Sequence, residues 1–224
     1  MKSIVTITLN PTIDKSASID HVVPERKLRC GVPRYEPGGG GINVSRAVRQ
    51  LGGASKAVYL SGGLQGKRLQ HLLDGQNLDH HPVEIAEWTR ENLIIYEENT
   101  GQQYRFGMPG PVVSEAEWQG VLNALSEADG KPDFLVASGS LPPGIPEDFY
   151  ARMARKCRDA GIKFILDTSG TPLRKGVAEG VYLLKPNVDE LKALAGQPDF
   201  EDEAHLEELA RDLIRDGKNE VDRT

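Results

Sequence analysis

The run Pro37-Gly38-Gly39-Gly40-Gly41-Ile42-Asn43 constrains this chain more than any other stretch. Four adjacent glycines add nothing to a core, and they permit backbone conformations closed to other residues. Downstream, Val44, Ala47, Val48 and Leu51 recur at helical spacing, with Asn43 placed to cap the helix. A glycine turn feeding a helix offers free backbone N–H groups and the positive end of the helix dipole. That suits a polyhydroxyl or phosphorylated small molecule. The alternative is a flexible linker, but linkers are Gly/Ser-rich and do not run straight into an amphipathic helix.

The same strand, turn and helix order repeats along the chain. Ser3–Leu9 reads as a β-branched strand stopped by Asn10-Pro11, with Asp14 just beyond. Lys56–Leu60 is a second strand, followed by the turn Ser61-Gly62-Gly63-Leu64-Gln65-Gly66 and a helix with Leu69, Leu72 and Leu73 on one face. Ser114 and Glu117 form a capping box ahead of a helix that turns Trp118 into the core. Strand Asp133–Ser138 ends in Ser138-Gly139-Ser140-Leu141-Pro142-Pro143-Gly144, and a helix near 146–160 buries Phe149, Met153 and Cys157. Ile162–Leu166 precedes Asp167-Thr168-Ser169-Gly170, and Val181–Leu184 precedes Lys185-Pro186-Asn187 and a further helix. The pattern predicts a parallel sheet wound with helices, whose ligands sit outside the carboxyl ends of its strands. Asp14 is then placed to bind hydroxyls, although its position alone fits a solvated loop carboxylate equally well.

Two segments break this pattern. Residues 18–35 and 83–106 are polar and carry short alternating runs, Val83–Trp88 among them. They predict antiparallel strands of one small, lid-like sheet, in which Cys30 packs. Lys27, Arg90 and Arg105 lie on or beside this element. Singly each reads as a solvated cation; together they could clamp a phosphate. A last amphipathic helix is expected over 201–216, with Leu206, Leu209, Leu213 and Ile214 on its apolar face and Gly217 as its stop.

Composition excludes several classes. A net charge of -6 over 224 residues leaves no concentrated basic face for nucleic acid. No apolar run approaches the roughly 18 residues of a membrane span. Two cysteines, Cys30 and Cys157, form neither a disulfide framework nor a zinc site. With a strand starting at Ser3 and no leader, the cytoplasm is the expected location.

Read together, the residues resemble the ribokinase (PfkB-type) family of carbohydrate kinases, and within it the minor bacterial 6-phosphofructokinase branch. The resemblance rests on Thr8-Leu9-Asn10-Pro11 with Asp14, on Lys27-Leu28-Arg29-Cys30, and on Glu36-Pro37-Gly38-Gly39-Gly40-Gly41-Ile42-Asn43-Val44. It continues through Trp88-Thr89-Arg90, Gln103-Tyr104-Arg105-Phe106, the turn at Ser138, Asp167-Thr168-Ser169-Gly170 and Lys185-Pro186-Asn187 with Glu190. The resemblance implies a ribokinase-like three-layer α/β fold with a mainly parallel sheet. Residues 1–17, 37–82 and 107–224 would form its core, and residues 18–36 and 83–106 a β lid through which two copies pair as a homodimer. It also implies phosphoryl transfer from ATP, with Mg2+, to a sugar phosphate such as fructose 6-phosphate.

By that resemblance Asp14, Gly38, Gly39 and Asn43 match positions that hold sugar hydroxyls. Arg90, Arg105, Ser138 and Gly139 match those around the sugar phosphate, where Lys27 adds charge. Lys185 and Asn187 match the nucleotide side, and Asp167 and Glu190 the metal. The family's Gly-Ala-Gly-Asp turn, with its catalytic base, occurs nowhere in this sequence. The strand–helix alternation breaks off near Gly217, so the C-terminal part of the sheet and the ATP cradle are expected to be missing. The enzymatic reading then stands beside a second one: a non-catalytic remnant that binds sugar phosphate or dimerises through its lid.

Overall fold

The structure, a computed structural model, describes residues 2–126, 130–196 and 211. Its centre is a sheet of six strands, all parallel, in the order β10-β9-β8-β1-β4-β5. These are β1 (Ile4–Thr8), β4 (Lys56–Ser61), β5 (Asp79–Glu84), β8 (Phe134–Ser138), β9 (Lys163–Asp167) and β10 (Leu183–Leu184). Side chains alternate across each strand, so β1 turns Val5 and Ile7 one way and Thr6 and Thr8 the other. The apolar side is covered by α3 (Glu115–Ser126), α4 (Phe149–Ala160) and α5 (Gly170–Glu179), through Trp118, Val121, Phe149, Met153 and Leu173. Trp118 and Phe149 meet edge-on with ring centroids 5.7 Å apart. In α4 the large buried side chains Phe149, Tyr150, Met153 and Cys157 keep one helical face, and Gly161 ends the helix in the left-handed region at φ 62°.

The opposite side is covered by α1 (Gly40–Gln50) and α2 (Gly63–Gly75), which pack Ile42, Leu69 and Leu73 on Ala57 and Tyr59. Here the buried hydroxyls of β1 are all paired. Thr6 Oγ1 lies 2.8 Å from Ser45 Oγ, and Thr8 Oγ1 accepts from the Ile42 N–H at 2.9 Å. Below α2, Tyr59 donates to His80 Nδ1 at 2.9 Å, and His80 Nε2 lies 3.0 Å from Asp74 Oδ1. A carboxylate can only accept, so Nε2 carries the imidazole proton and Nδ1 is left to accept from Tyr59. Burial, with Asp74 nearby, pushes the Tyr59 hydroxyl above the ordinary tyrosine value. Helices on both faces of one parallel sheet make the three-layer α/β fold that the sequence pattern predicts.

A second sheet of four strands runs β3-β2-β6-β7, made of β2 (Thr12–Ile19), β3 (Arg34–Gly38), β6 (Arg90–Glu97) and β7 (Gln102–Phe106). Its far end is tied by Glu97, which is 4% exposed. That carboxylate accepts from the Val22 N–H at 2.9 Å, His21 Nδ1 at 3.1 Å, Thr100 Oγ1 at 2.9 Å and Tyr104 OH at 3.0 Å. These bonds, the Val22 N–H foremost, hold its pKa down at about 2.

Five local expectations change. The small sheet is mixed rather than antiparallel, because β2 and β6 run parallel. Residues 79–84 form β5, parallel to β4 at the edge of the large sheet, so Val83 and Glu84 are no part of the small one. The crossover through α2 delivers a parallel neighbour, and an edge strand tolerates Pro82, which lacks an N–H. Asp14 lies within β2, because the break at Asn10-Pro11 is only a corner between two strands. The helix after the glycines starts at Gly40 with Gly39 as its cap, which puts Asn43 one turn inside. Cys30 is exposed rather than packed, since residues 20–33 form no strand. The helix expected over 201–216, apart from Arg211, lies outside the described residues, as do Gly217 and 218–224.

Candidate functional site

Three adjacent strands of the large sheet end in three polar side chains. Ser138 closes β8 and Asp167 closes β9, directly paired in register. Lys185 follows β10. Ser138 Oγ donates to Asp167 Oδ2 at 2.8 Å, and Lys185 Nζ lies 3.4 Å from Asp167 Oδ1. Gly139, at φ 112°, turns its N–H onto the Asp167 carbonyl at 2.9 Å. Lys185 is 77% exposed, so water screens its pairing with Asp167 and little energy holds the two together. A charge held this loosely can turn to an incoming anion.

The glycine run crosses from this edge to the small sheet. A Cβ on Gly40 would collide with Ser138 Oγ and come 2.7 Å from the Ser138 carbonyl carbon. One on Gly38 would collide with the Asp14 carboxylate and sit 2.7 Å from Thr12 Cγ2. The backbone therefore lies against Ser138 at one end and Asp14 at the other. Asp14 Oδ1 accepts from Asn92 Nδ2 at 3.1 Å, and Asn92 Oδ1 accepts from the Met108 N–H at 3.0 Å.

Arg90 sits where the small sheet leaves and rejoins the core. Its Nη2 donates to the Asn10 carbonyl and its Nη1 to the Met108 carbonyl, each at 3.0 Å. Burial pulls its pKa below the ordinary arginine value, and the charge of Asp14 works against that. Nε is buried and has no partner among the described residues. Asn10 extends the chain of contacts, donating from Nδ2 to Ser140 Oγ at 3.0 Å. A guanidinium, a carboxylate and a hydroxyl-bearing turn are thus joined through one network.

Other candidates lie further out. Arg105 on β7 pairs with Ile94, which puts it on the same sheet face as Asp14, Asn92 and Arg90, but further along and exposed. Lys27 is exposed in the irregular segment 20–33. Asn43 is exposed on α1, where its Oδ1 accepts from Arg46 Nη1 at 3.2 Å. Asn187 and Glu190 cap the helix α6 (Val188–Ala195) reciprocally: Asn187 Oδ1 accepts from the Glu190 N–H at 2.8 Å, and Glu190 Oε2 from the Asn187 N–H at 2.9 Å. No cluster of three or more His, Cys, Asp or Glu among the described residues could cage a metal. Asp167 and Glu190 supply oxygen donors of the sort Mg2+ uses when it keeps water and leans on phosphates. Sequence reasoning missed Asn92, Asn10 and Arg46. Asn92 was findable, because alternation along a strand puts it on the face of Arg90 two residues earlier.

A family model described as the pfkB family carbohydrate kinase matches residues 4–221. An ATP-dependent 6-phosphofructokinase isozyme 2 of Mycobacterium tuberculosis is 44% identical over 218 residues, which are 97% of this chain and 64% of that protein. The Escherichia coli protein of the same name is 39% identical, with 97% and 70% covered, and a Xanthomonas campestris 1-phosphofructokinase is 34% identical, with 95% and 68% covered. The chain thus spans 64% of the length of its Mycobacterium relative. Among solved structures, Escherichia coli phosphofructokinase-2 in complex with fructose-6-phosphate superposes with a TM-score of 0.92 at 38% identity, covering 98% of this chain and 72% of that one.

Proposed function

The chain belongs to the pfkB family of carbohydrate kinases, and from this premise we propose that it provides the sugar-phosphate side of an ATP-dependent kinase whose acceptor is fructose 6-phosphate. The observation that carries the reading is the glycine run lying between Asp14 and Ser138. Asp14 accepts hydrogen bonds from sugar hydroxyls. Gly38 and Gly39 let the sugar approach the main chain, and Asn43 adds an amide. Arg90, with the Ser138-Gly139 turn, faces the sugar's phosphate, and Arg105 and Lys27 add longer-range positive charge.

At the other end Lys185, Asn187, Asp167 and Glu190 would hold ATP and Mg2+, which when bound supply the phosphoryl group and neutralise its charge. The contribution of this chain is positioning: Ser138 holds Asp167, and Lys185 beside it stays free to turn to an anion, at the edge where the two substrates meet. The small sheet serves as a lid that pairs two copies.

A second reading is favoured by the reciprocal Asn187–Glu190 cap, which commits Asn187 Oδ1 and Glu190 Oε2 to holding the start of a helix. The chain then binds sugar phosphate and transfers nothing. A coupled assay with ATP, Mg2+ and fructose 6-phosphate, run beside calorimetric titration of each ligand, separates the two. Turnover supports the kinase; binding of fructose 6-phosphate alone supports the second reading; binding of neither overturns both.

A further inference from the structure

Arg46 is absorbed by none of the roles above, yet it touches four parts of the loop region at once. Its Nε donates to Gln76 Oε1 at 2.9 Å, just past the end of α2. Nη2 lies 3.6 Å from the Glu36 carboxylate on β3. Nη1 is shared between the Pro37 carbonyl at 3.4 Å and Asn43 Oδ1 at 3.2 Å. The side chain is only 25% exposed, so this is a packed fork rather than a solvated surface cation.

The chemistry of that fork decides the chemistry of Asn43. A carboxamide has an accepting oxygen and a donating nitrogen, and a half-turn of its last torsion exchanges them. A guanidinium has no acceptor at all, so only the oxygen of Asn43 can face Arg46. Nδ2 is thereby turned away from Arg46 on an exposed residue. With Asp14 able only to accept, the loop is flanked by one fixed acceptor and one fixed donor. A sugar hydroxyl can donate to the first while its oxygen accepts from the second. Without Arg46 the amide turns over freely, and half of its orientations set an oxygen against an oxygen. The same fork holds the Pro37 carbonyl, immediately before Gly38, so the amide and the start of the glycine run share one anchor.

We propose that Arg46 is a positioning residue that acts through Asn43, holding the Asn43 amide as a donor to a sugar hydroxyl. The proposal rests on the sugar-phosphate reading above, and the test keeps the two apart. Fructose 6-phosphate is titrated by calorimetry into the unaltered chain, Arg46→Met, Asn43→Ala and the double variant, each melted beforehand to establish folding. Arg46→Met is expected to weaken binding about tenfold in the unaltered background and less than twofold on top of Asn43→Ala. Equal losses in both backgrounds, or no loss in the first, overturn the proposal and leave the sugar-phosphate reading standing. Should the unaltered chain bind no fructose 6-phosphate, the reading falls and the proposal with it. Arg46→Lys keeps a charge beside Glu36 but not the fork, and it carries the same cycle if Arg46→Met does not fold. Asn43→Asp accepts from Arg46 but cannot donate, and it is expected to lose binding as Asn43→Ala does; retained binding also overturns the proposal.

Discussion

Two of the glycine-rich turns between a strand and a helix, at 38–41 and at 62–66, do different work. At 38–41 the glycines clear room against Asp14 and Ser138, side chains of the candidate site, and against Thr8 beneath them. At 62–66 they clear room against the carbonyls of Glu87 and Ile85, the Trp88 ring and Ser61. One turn brings backbone close to polar side chains at strand ends; the other lets the link between β5 and β6 cross over α2. In sequence the two look alike. What separates them is the neighbour each glycine makes room for, and that neighbour comes from a distant part of the chain.

The sharpest way to break this comparison is a methyl group in each turn where the obstacle is backbone. Gly41→Ala drives a Cβ into the Ile7 carbonyl of β1, and Gly62→Ala drives one into the Glu87 carbonyl. Each is expected to cost about 3 kcal/mol, read as a thermal melt, because neither obstacle can swing away. If Gly62→Ala retained full stability, the second turn would have no packing role and the comparison would fail.

Gly38→Ala meets side chains instead and displaces the Asp14 carboxylate. The expected outcome is a fall in fructose 6-phosphate affinity of tenfold or more, about 1.4 kcal/mol, with a smaller loss of stability than Gly41→Ala. Calorimetry on the folded variant checks it, and unchanged affinity would leave the first turn no more a ligand site than the second.

A smaller effect is expected remote from both turns. Glu97→Gln weakens the far end of the small sheet and lowers the melting temperature by roughly 5 °C. The pH dependence carries the sign: a carboxylate held at about 2 when folded stabilises above its unfolded value near 4.3, and that contribution fades as the pH falls toward 2. Melts of the two proteins should therefore differ above pH 5 and converge in acid. Sugar-phosphate affinity should hardly change; a loss as large as that of Gly38→Ala would mean the site is set by the sheet, not the loop.

The smallest expected change tests the floor common to both turns. Tyr59 packs with Ile42 of α1 and with Leu69 and Leu73 of α2. Tyr59→Phe leaves His80 Nδ1 without its donor, at a cost of about 1 kcal/mol by denaturant melt. Both helices should loosen alike, with no selective loss of binding.

What could be read in advance follows from how local each signal is. The large sheet was legible because β1, β4, β8 and β9 each carry a short apolar run, β-branched throughout only in β1, followed by a glycine or proline turn. Burial of Trp118, Phe149, Met153 and Cys157 was legible from helical spacing. Val83 and Glu84 read as part of the wrong sheet because an alternating polar strand looks the same at any sheet edge, and only the crossover through α2 decides. Asn43 misleads as a cap because the glycines themselves carry the first turn from Gly40, which leaves its side chain inside the helix and facing Arg46. Asn10 and Arg90 were visible as residues, but their link runs through main-chain carbonyls, which carry no side-chain signature.

Asp14, Asn92 and Arg90 ride on strands of the small sheet, whereas Ser138, Asp167 and Lys185 are fixed to the large one. Only the corner at residues 9–11 separates β1 from β2, so the two halves of the site stand like the jaws of a caliper joined at that corner. A molecule that reaches from one jaw to the other has to match the distance between them, so its length counts as well as its chemistry.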